Sequence, residues 1–267
     1  MHPAKVLNYY LKTYDATNKT LVSTKNRLAA IMDGADPKHQ DIIKILDSLK
    51  GKLSSRIAKE LEIYPLWTEW LKHIKGIGPF IGGNLLYMYY FKSIAICKKC
   101  GTDLEEFVCP ACQTKSKRGG ILKFRIEDRD YANISKWWKF LGLHTVEGKK
   151  PKMAKGVQCD WSPKGRMICW QFGQQVNRQT KDHLYKAFLL DRKKKRMRTH
   201  PDTTPKHRQS MAEHETAKLF TSHFWVVART LDGKPVTEPY IKVIGGHTGI
   251  IPPYYFETIK EEMKKAA

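Results

Sequence analysis

Residues 71–90 read LKHIKGIGPFIGGNLLYMYY, a pattern that predicts two short helices joined by a Gly-Ile-Gly turn. Gly76 and Gly78 can adopt the positive φ angles that a tight turn requires. Pro79 suits the first position of the second helix, where its missing N–H is not needed. The predicted core positions follow at three- and four-residue spacing: Leu71, Ile74, Ile81, Leu85, Leu86 and Tyr89.

The start of the second predicted helix has the chemistry of an anion site. Its first N–H groups have no partner within the helix, and the helix dipole favours negative charge there. The pattern resembles the helix-hairpin-helix motif, which holds a DNA backbone without reading its bases. We therefore expect phosphate contacts from Lys75, Gly76, Ile77 and Gly78. The alternative is an ordinary pair of helices in a protein core.

Charge is the most decisive feature of the composition. The chain has 267 residues, and 48 Lys and Arg side chains against 26 Asp and Glu give a formal net charge of +22. Such an excess favours a polyanionic partner, first nucleic acid and second an anionic membrane surface. We find no long apolar span and no signal peptide, so we expect no membrane association and a cytoplasmic, nucleoid-associated location.

Four of the six cysteines form two matched pairs, Cys97-Lys-Lys-Cys100 and Cys109-Pro-Ala-Cys112. Each such turn presents two thiolates to one side, and two turns complete a tetrahedral shell. The pattern predicts a structural Zn²⁺ site, with a rubredoxin-like iron site as the alternative. Four sulfur ligands leave no open coordination position, so we do not expect catalysis at the metal.

The order of patterns predicts a mainly α fold with small β elements. Helical spacing over residues 3–33 and 38–63 predicts an antiparallel hairpin, which either forms a homodimer or covers the main domain. The predicted segments are a helical arm (1–64), a helix-hairpin-helix (65–92), an inserted zinc finger (93–120), a basic helical domain (121–255) and a tail (256–267).

The basic helical domain carries several local signals. The short alternating segment 121–126 predicts a strand or a loop, and the acidic residues Glu127, Asp128 and Asp130 are expected to cap a helix that ends at Gly142. Further helices are predicted over 167–185 and 212–231, with a hairpin-containing loop before them. Basic side chains expected to contact phosphates are Lys149, Lys150, Lys152, Lys164, Arg166, Arg178, Arg192, Lys193, Lys194, Lys195, Arg196 and Arg198.

The order of these motifs resembles one family. The helix-hairpin-helix is followed by Trp138-Lys-Phe-Leu-Gly142-Leu143, then Lys164-Gly-Arg166 and Asn177-Arg178, and finally Phe224-Trp-Val-Val-Ala-Arg229 before Asp232-Gly-Lys-Pro235. This resembles the C-terminal transposase domain of the bridge-RNA-guided insertion-sequence transposases. The similarity covers roughly residues 40–92 and 121–240 and leaves the cysteine pairs as an addition. It implies a scaffold that binds nucleic acid during recombination.

Two features of that family do not match. The residues before Lys38 do not fit its RuvC-like domain with four acidic residues, and the segment after Leu143 has no serine at the place of the family's nucleophile. Thr145 and Ser162 are the substitutes for a reduced recombinase, and an activated hydroxyl needs a base nearby. Asp128 and Asp130 either cap a helix or hold Mg²⁺ in a nuclease.

Three classes of function follow from these patterns. The first is a protein that binds the backbone of branched or structured DNA. The second is an enzyme that uses the hydroxyl or carboxylate groups named above. The third is a protein that binds structured RNA, because zinc ribbons beside basic loops serve RNA equally well.

Overall fold

The computed structural model describes residues 2–31, 40–104, 109–112, 122–157, 159–181, 183–236 and 251–257. The chain divides into two compact units. Unit 1 comprises residues 1–60 and 86–130, and unit 2 comprises residues 61–85 and 131–267. The described elements are helices apart from one two-stranded sheet, so the predicted mainly α fold with small β elements is confirmed.

Unit 1 is built from two long helices and the sheet. Helix α1 spans Pro3–Ile31 and helix α2 spans Asp41–Leu61. On α1 the buried residues recur at three- and four-residue spacing through Ala4, Leu7 and Leu11. The apolar stripe predicted on α2 is buried only toward its end, at Leu53, Ile57 and Leu61. Its first half, at Ile42, Ile45 and Leu49, is exposed.

The sheet of unit 1 holds the cysteine-rich segment. Strand β1 (Phe91–Cys97) pairs antiparallel with strand β2 (Leu122–Asp128), with Phe91 opposite Asp128 and Cys97 opposite Leu122. The segment between the strands therefore leaves and re-enters at the same end of the sheet. The segment 121–126, for which the sequence allows a strand, overlaps β2, whereas no sequence pattern predicts β1.

Unit 2 begins with an irregular helical segment. Residues 66–70 form one π-helical turn and residues 71–73 one 3₁₀ turn, where the pattern predicts a short regular helix. Trp67 and Trp70, three residues apart in this segment, are both buried. Helix α3 (Pro79–Tyr90) follows, and the boundary between the units lies within it.

Among the described residues of unit 2, four helices lie between residues 131 and 236. They are α4 (Ile134–Phe140), α5 (Pro163–Asn177), α6 (Leu184–Thr199) and α7 (Pro205–Leu231). Buried α7 packs against the other three through a stack of aromatic rings, in which Phe220 lies 4.1 Å from Phe172 and 5.7 Å from Trp70 between ring centroids. Trp137 is fully buried against Phe224 at 5.7 Å, so it is a core residue as its helical spacing indicates.

Three boundaries in unit 2 differ from the predictions. The helix expected over 167–185 is two helices, because α5 ends at Asn177 and a turn precedes α6. Helix α7 begins seven residues before Ala212, since Thr204 caps it and Pro205 occupies its first position. The cap of α4 is Asn133, whose side chain accepts from Lys136 N, rather than an acidic residue of 127–130. Gly142 has the positive φ (66°) expected of a residue that ends a helix.

None of the helices in the described ranges has an apolar stretch long enough to cross a bilayer.

Candidate metal centre and nucleic-acid interface

The four paired cysteines converge at the end of strand β1. Cys97 is the last residue of β1, and the N–H of Gly101 donates to its carbonyl at 2.9 Å, which closes the first cysteine turn. Gly101 adopts φ +78°, a conformation that glycine accepts without strain. Cys97 N in turn donates to Thr102 O at 2.9 Å. These bonds hold Cys97 and Cys100 on one side of the turn.

The sulfur atoms have the spacing of a tetrahedral metal site. Sγ···Sγ distances are 3.6 Å for Cys97–Cys112, 3.4 Å for Cys100–Cys109 and 3.6 Å for Cys100–Cys112, and all four sulfurs lie within 4.8 Å of one another. A tetrahedron with metal–sulfur bonds of about 2.3 Å has edges of about 3.8 Å, so the group fits a metal. Cys97 and Cys109 are buried and Cys100 is exposed. The cysteines predicted to bind a metal are thus brought together.

The Gly-Ile-Gly turn joins the 3₁₀ segment to α3 in unit 2. Ile77 N donates to Ile74 O at 3.0 Å, and both isoleucine side chains are buried. Gly76 has φ +92°, as predicted, but Gly78 is not in the left-handed region. Pro79 is the first residue of α3, as expected. Farther along α3, a Cβ on Gly82 would lie 2.6 Å from the Trp67 ring, so a close approach requires glycine there.

One side of this turn is covered by the end of α5. Gln179 Nε2 donates to Lys75 O at 2.6 Å, and a Cβ on Gly76 would lie 2.8 Å from that nitrogen and 3.1 Å from Gln175 Cβ. The other side is open: Gly78 is exposed, and a Cβ there would meet nothing within 4 Å. The accessible part of the predicted phosphate site is therefore Gly78 and the first turn of α3, while Gly76 and Ile77 support it from beneath.

Three predicted basic residues belong to the turn or to the elements that contact it. Lys75 is exposed within the turn itself. Lys164, at the start of α5, places Nζ 4.9 Å from the centre of the Phe80 ring in the first turn of α3. Arg178, the exposed residue after α5, is adjacent to Gln179. We call Lys75, Gly78, Lys164 and Arg178 the turn surface.

Arg166 has a different environment. Its guanidinium donates to Gly142 O at 2.6 Å and to Pro151 O at 2.7 Å, and it stacks on the Trp161 ring at 3.8 Å. Burial lowers the pKa of Arg166 from its ordinary value. These contacts hold the start and the end of the 142–151 loop against α5, so we assign Arg166 a structural role in that loop.

The 142–151 loop presents the next group of predicted basic residues. Val146 and Lys149 exchange backbone hydrogen bonds around Glu147 and Gly148, which both have positive φ, so the expected hairpin is present. Lys149 and Lys152 are exposed, while Lys150 Nζ reaches Ser210 O at 3.4 Å.

Residues 192–198 of α6, which we call the basic run, have two faces. Arg196 Nε donates to Glu215 of α7 at 2.6 Å, and Arg192 lies 3.9 Å from the same carboxylate. Lys193 is half-buried. The exposed members are Lys194, Lys195 and Arg198. The run therefore supplies three solvent-facing charges, and Glu215 neutralises part of the rest.

The candidate catalytic residues have different local surroundings. The Ser162 hydroxyl accepts from Gly165 N at 3.0 Å and caps α5, whereas Thr145 is exposed in the 142–151 loop. Asp128 ends strand β2 and Asp130 follows it, both exposed in unit 1. Among the described residues, the four cysteines are the sole group of three or more His, Cys, Asp or Glu side chains close enough to share a metal. Four histidines between residues 200 and 223 could in principle suggest a second metal site. In the described part of the chain they belong to no such group: His200, His207, His214 and His223.

Comparison of this chain with models of known families, with curated proteins and with solved structures gives no match.

Sequence reasoning did not identify the residues that support the turn. Gln175 and Gln179 have no periodic or compositional signal, since an isolated glutamine in a helix is usually exposed. Glu215 and Trp161, which hold Arg196 and Arg166, were also missed. The four-residue spacing of Gln175 and Gln179 would place them on one side of the predicted helix 167–185, but it does not indicate that this side meets the turn.

Proposed function

We propose that this protein binds the sugar-phosphate backbone of DNA during recombination of a mobile element, with the turn surface as the main contact. The observation that carries the proposal is Gly78, an exposed glycine directly before α3, with exposed Lys75 in the same turn and Lys164 Nζ 4.9 Å from the Phe80 ring of α3. Arg178 follows α5 next to Gln179, whose side chain binds Lys75 O. Backbone N–H groups at a helix start and nearby cations attract the same phosphate. The net charge of +22 supports a polyanionic partner, and this role implies a nucleoid-associated location.

We further propose that the metal at the four cysteines is Zn²⁺ with a structural role. Cysteines 97, 100, 109 and 112 would hold it through their thiolates. The bound ion would supply no reaction step, because four sulfurs complete a tetrahedral shell. Its contribution is to fix the segment between β1 and β2, which has few other buried apolar residues among those described.

A change at Gly78 separates binding from folding. Gly78→Asp places a carboxylate at the cap of α3, where it satisfies the first N–H groups and stabilises the helix while repelling phosphate. We expect the affinity for duplex DNA to fall about tenfold, which is close to the 1.4 kcal/mol of one lost charged contact. The measurement is fluorescence anisotropy with a labelled duplex, with unfolding by urea as the check on stability.

The matched control is Gly78→Asn, which caps the helix equally well without charge. It should retain an affinity within about threefold of the wild-type protein. Equal affinities for the Asp variant, the Asn variant and the wild type would exclude the turn surface as the phosphate contact. Competition with folded RNA in the same assay tests the alternative that structured RNA is the preferred ligand.

We also propose that the arm formed by α1 and α2 joins two copies of the chain. The exposed first half of the α2 stripe supports this proposal, since Ile42 is 62% and Ile45 is 66% exposed and a series of apolar residues at heptad spacing is typical of a helix that meets another helix. Ile45→Glu should shift a dimer toward monomer in sedimentation equilibrium. The control is Ile63→Glu, at an exposed isoleucine outside the stripe.

A further inference from the structure

Trp170 on α5 is exposed without an evident structural reason. The side chain is 57% exposed. The chain has seven tryptophans, and five of the others, Trp67, Trp70, Trp137, Trp161 and Trp225, are buried. The sixth, Trp138, is half-buried and donates to Thr221 at 3.2 Å. An indole is one of the largest apolar groups, so leaving it in water forgoes burial that would stabilise the fold.

The position of Trp170 relates it to the turn surface. Trp170, Gln174 and Arg178 follow one another at four-residue spacing and therefore lie on the same side of α5. Eight residues of helix separate the tryptophan from the arginine by about 12 Å. Arg178 is exposed and precedes Gln179, whose amide holds Lys75 O. The exposed ring thus lies one to two nucleotide lengths from the proposed phosphate contact, along the same helix.

The surroundings of Trp170 favour a nucleobase over a protein partner. Its neighbours at three, four and seven residues farther along α5 are Gly173, Gln174 and Asn177. A protein-docking surface would need a contiguous apolar patch. Gln174 and Asn177 are polar, and Met167, the apolar neighbour three residues before Trp170, is half-buried. An exposed aromatic ring about 12 Å along the same helix from the exposed Arg178 instead matches a base in a strand whose phosphate lies at the arginine. Bases stack on indole rings at a gain of about 1–3 kcal/mol each.

We propose that Trp170 is a stacking platform for an unpaired nucleobase, with Arg178 holding the adjacent phosphate. In a duplex the faces of the bases are already stacked, so only single-stranded or branched nucleic acid offers a free base to the ring. This inference deepens the proposed function: it rests on backbone binding at the turn surface and adds a preference for strands with unpaired bases.

The test compares Trp170→Ala and Trp170→Phe with the wild-type protein on two labelled ligands, an oligothymidylate and a blunt duplex. For the alanine variant we expect a loss of affinity for oligothymidylate of about five- to fiftyfold, in line with one lost stacked base. The phenylalanine variant keeps a ring and should retain most of the affinity. Affinity for the blunt duplex should remain within twofold for both.

A matched control is Ile63→Ala, which truncates a large residue of similar exposure (60%) after α2 and should leave both affinities unchanged. Tryptophan fluorescence adds a direct readout, because stacking should quench the wild-type emission on addition of oligothymidylate, and this quenching should be absent in Trp170→Phe.

The outcomes separate the two proposals. Unchanged oligothymidylate affinity in Trp170→Ala, or an equal loss on both ligands, overturns the stacking platform. If, in addition, Gly78→Asp does not change the affinity for duplex DNA, the proposal that the turn surface binds the backbone is also overturned. If Gly78→Asp weakens duplex binding while Trp170→Ala has no effect, backbone binding stands and stacking fails.

Discussion

At the residue scale, Gly76 and Gly78 perform different tasks although the sequence presents them as a pair. Gly76 is required by conformation and space, since it has φ +92° and lies against Gln175 and Gln179. Any larger residue there would strain the backbone and displace the support of the turn. Gly78 has neither constraint. A variant at Gly76 would therefore change the stability of the fold together with the affinity for nucleic acid. A variant at Gly78 can change the affinity without disrupting the fold.

His223 is a buried histidine that makes stability depend on pH. It is 5% exposed on α7, and its Nδ1 lies 2.7 Å from the Tyr185 hydroxyl. Burial lowers the pKa of His223 from its ordinary value of 6.5 to about 4, whereas a hydrogen bond to the backbone of Ile251 acts in the opposite direction and raises it. Protonation would place an uncompensated charge in the core and would prevent Nδ1 from accepting the Tyr185 proton.

The sign of the pH effect follows from this depressed pKa. Between pH 6.5 and about 4 the unfolded chain binds a proton at His223 that the folded chain does not, so stability is lost as the pH falls through this window. Within this window, we expect His223 to lower the free energy of unfolding by up to about 1.4 kcal/mol for each unit by which the pH falls. Urea unfolding between pH 7 and pH 5 should show a shallower pH dependence in His223→Gln than in the wild type.

The control for this prediction is His207→Gln, at an exposed position near the start of the same helix. It should leave the pH dependence of the wild-type protein unchanged. Identical pH profiles for the wild type and His223→Gln would show that folding does not lower the pKa of His223.

At the element scale, patterns carried by neighbouring residues could be predicted and contacts between distant residues could not. The cysteine pairs, the start of α3 at Pro79 and the end of α4 near Gly142 each depend on a few adjacent side chains, and each is found as expected. The bond from Gln179 to Lys75 joins residues 104 positions apart, so no local pattern indicates it. The single helix predicted over 167–185 is wrong at the place where its apolar stripe is interrupted, between Val176 and Leu184, because α5 ends at Asn177 and α6 begins at Leu184.

The sheet of unit 1 should depend on the metal. The β1–β2 pair is short, and an isolated two-stranded sheet is marginally stable in water. Metal binding at the end of β1 supplies folding free energy to the segment between the strands. We therefore expect removal of the ion by a chelator to increase hydrogen exchange of the β1 amides by at least tenfold, while the amides of α7 remain protected.

Cysteine variants test the same dependence by metal content. Elemental analysis should find one zinc per chain in the wild type and in Cys159→Ser, which changes a cysteine outside the group. Cys109→Ser should lose most of the zinc and show the faster exchange without chelator, since three sulfurs leave the tetrahedron incomplete. Iron in place of zinc would overturn the proposed identity of the ion, and full metal content in Cys109→Ser would overturn the ligand set.

At the scale of the whole molecule, the excess of positive charge is distributed among side chains with different freedom to bind phosphate. Arg192 and Arg196 are partly neutralised by Glu215, and Arg166 is committed to backbone carbonyls. Other cations, such as Lys75 and Arg178, remain exposed. A formal net charge therefore overstates the number of cations available to a ligand at these positions, and only exposed ones can release counterions on binding.

Salt dependence measures how many of the exposed cations contact phosphate. For a DNA-binding protein the logarithm of the binding constant falls linearly with the logarithm of salt concentration, by roughly 0.9 for each phosphate contact on B-DNA. Lys194, Lys195 and Arg198 form the exposed face of the basic run on α6. Changing all three to Gln should reduce the slope by roughly 2 to 3 if each of them contacts a phosphate.

A control triple variant distinguishes direct phosphate contacts of the α6 residues from the long-range electrostatic attraction that depends on net charge. Lys5, Lys25 and Lys52 are exposed on α1 and α2, and their replacement by Gln removes the same amount of charge. We expect this variant to slow association at low salt, because long-range attraction depends on net charge, but to leave the slope within about 0.5 of the wild type. Equal reductions of the slope in both variants would show that the basic run on α6 acts through the overall field and does not itself lie against the backbone of the nucleic acid.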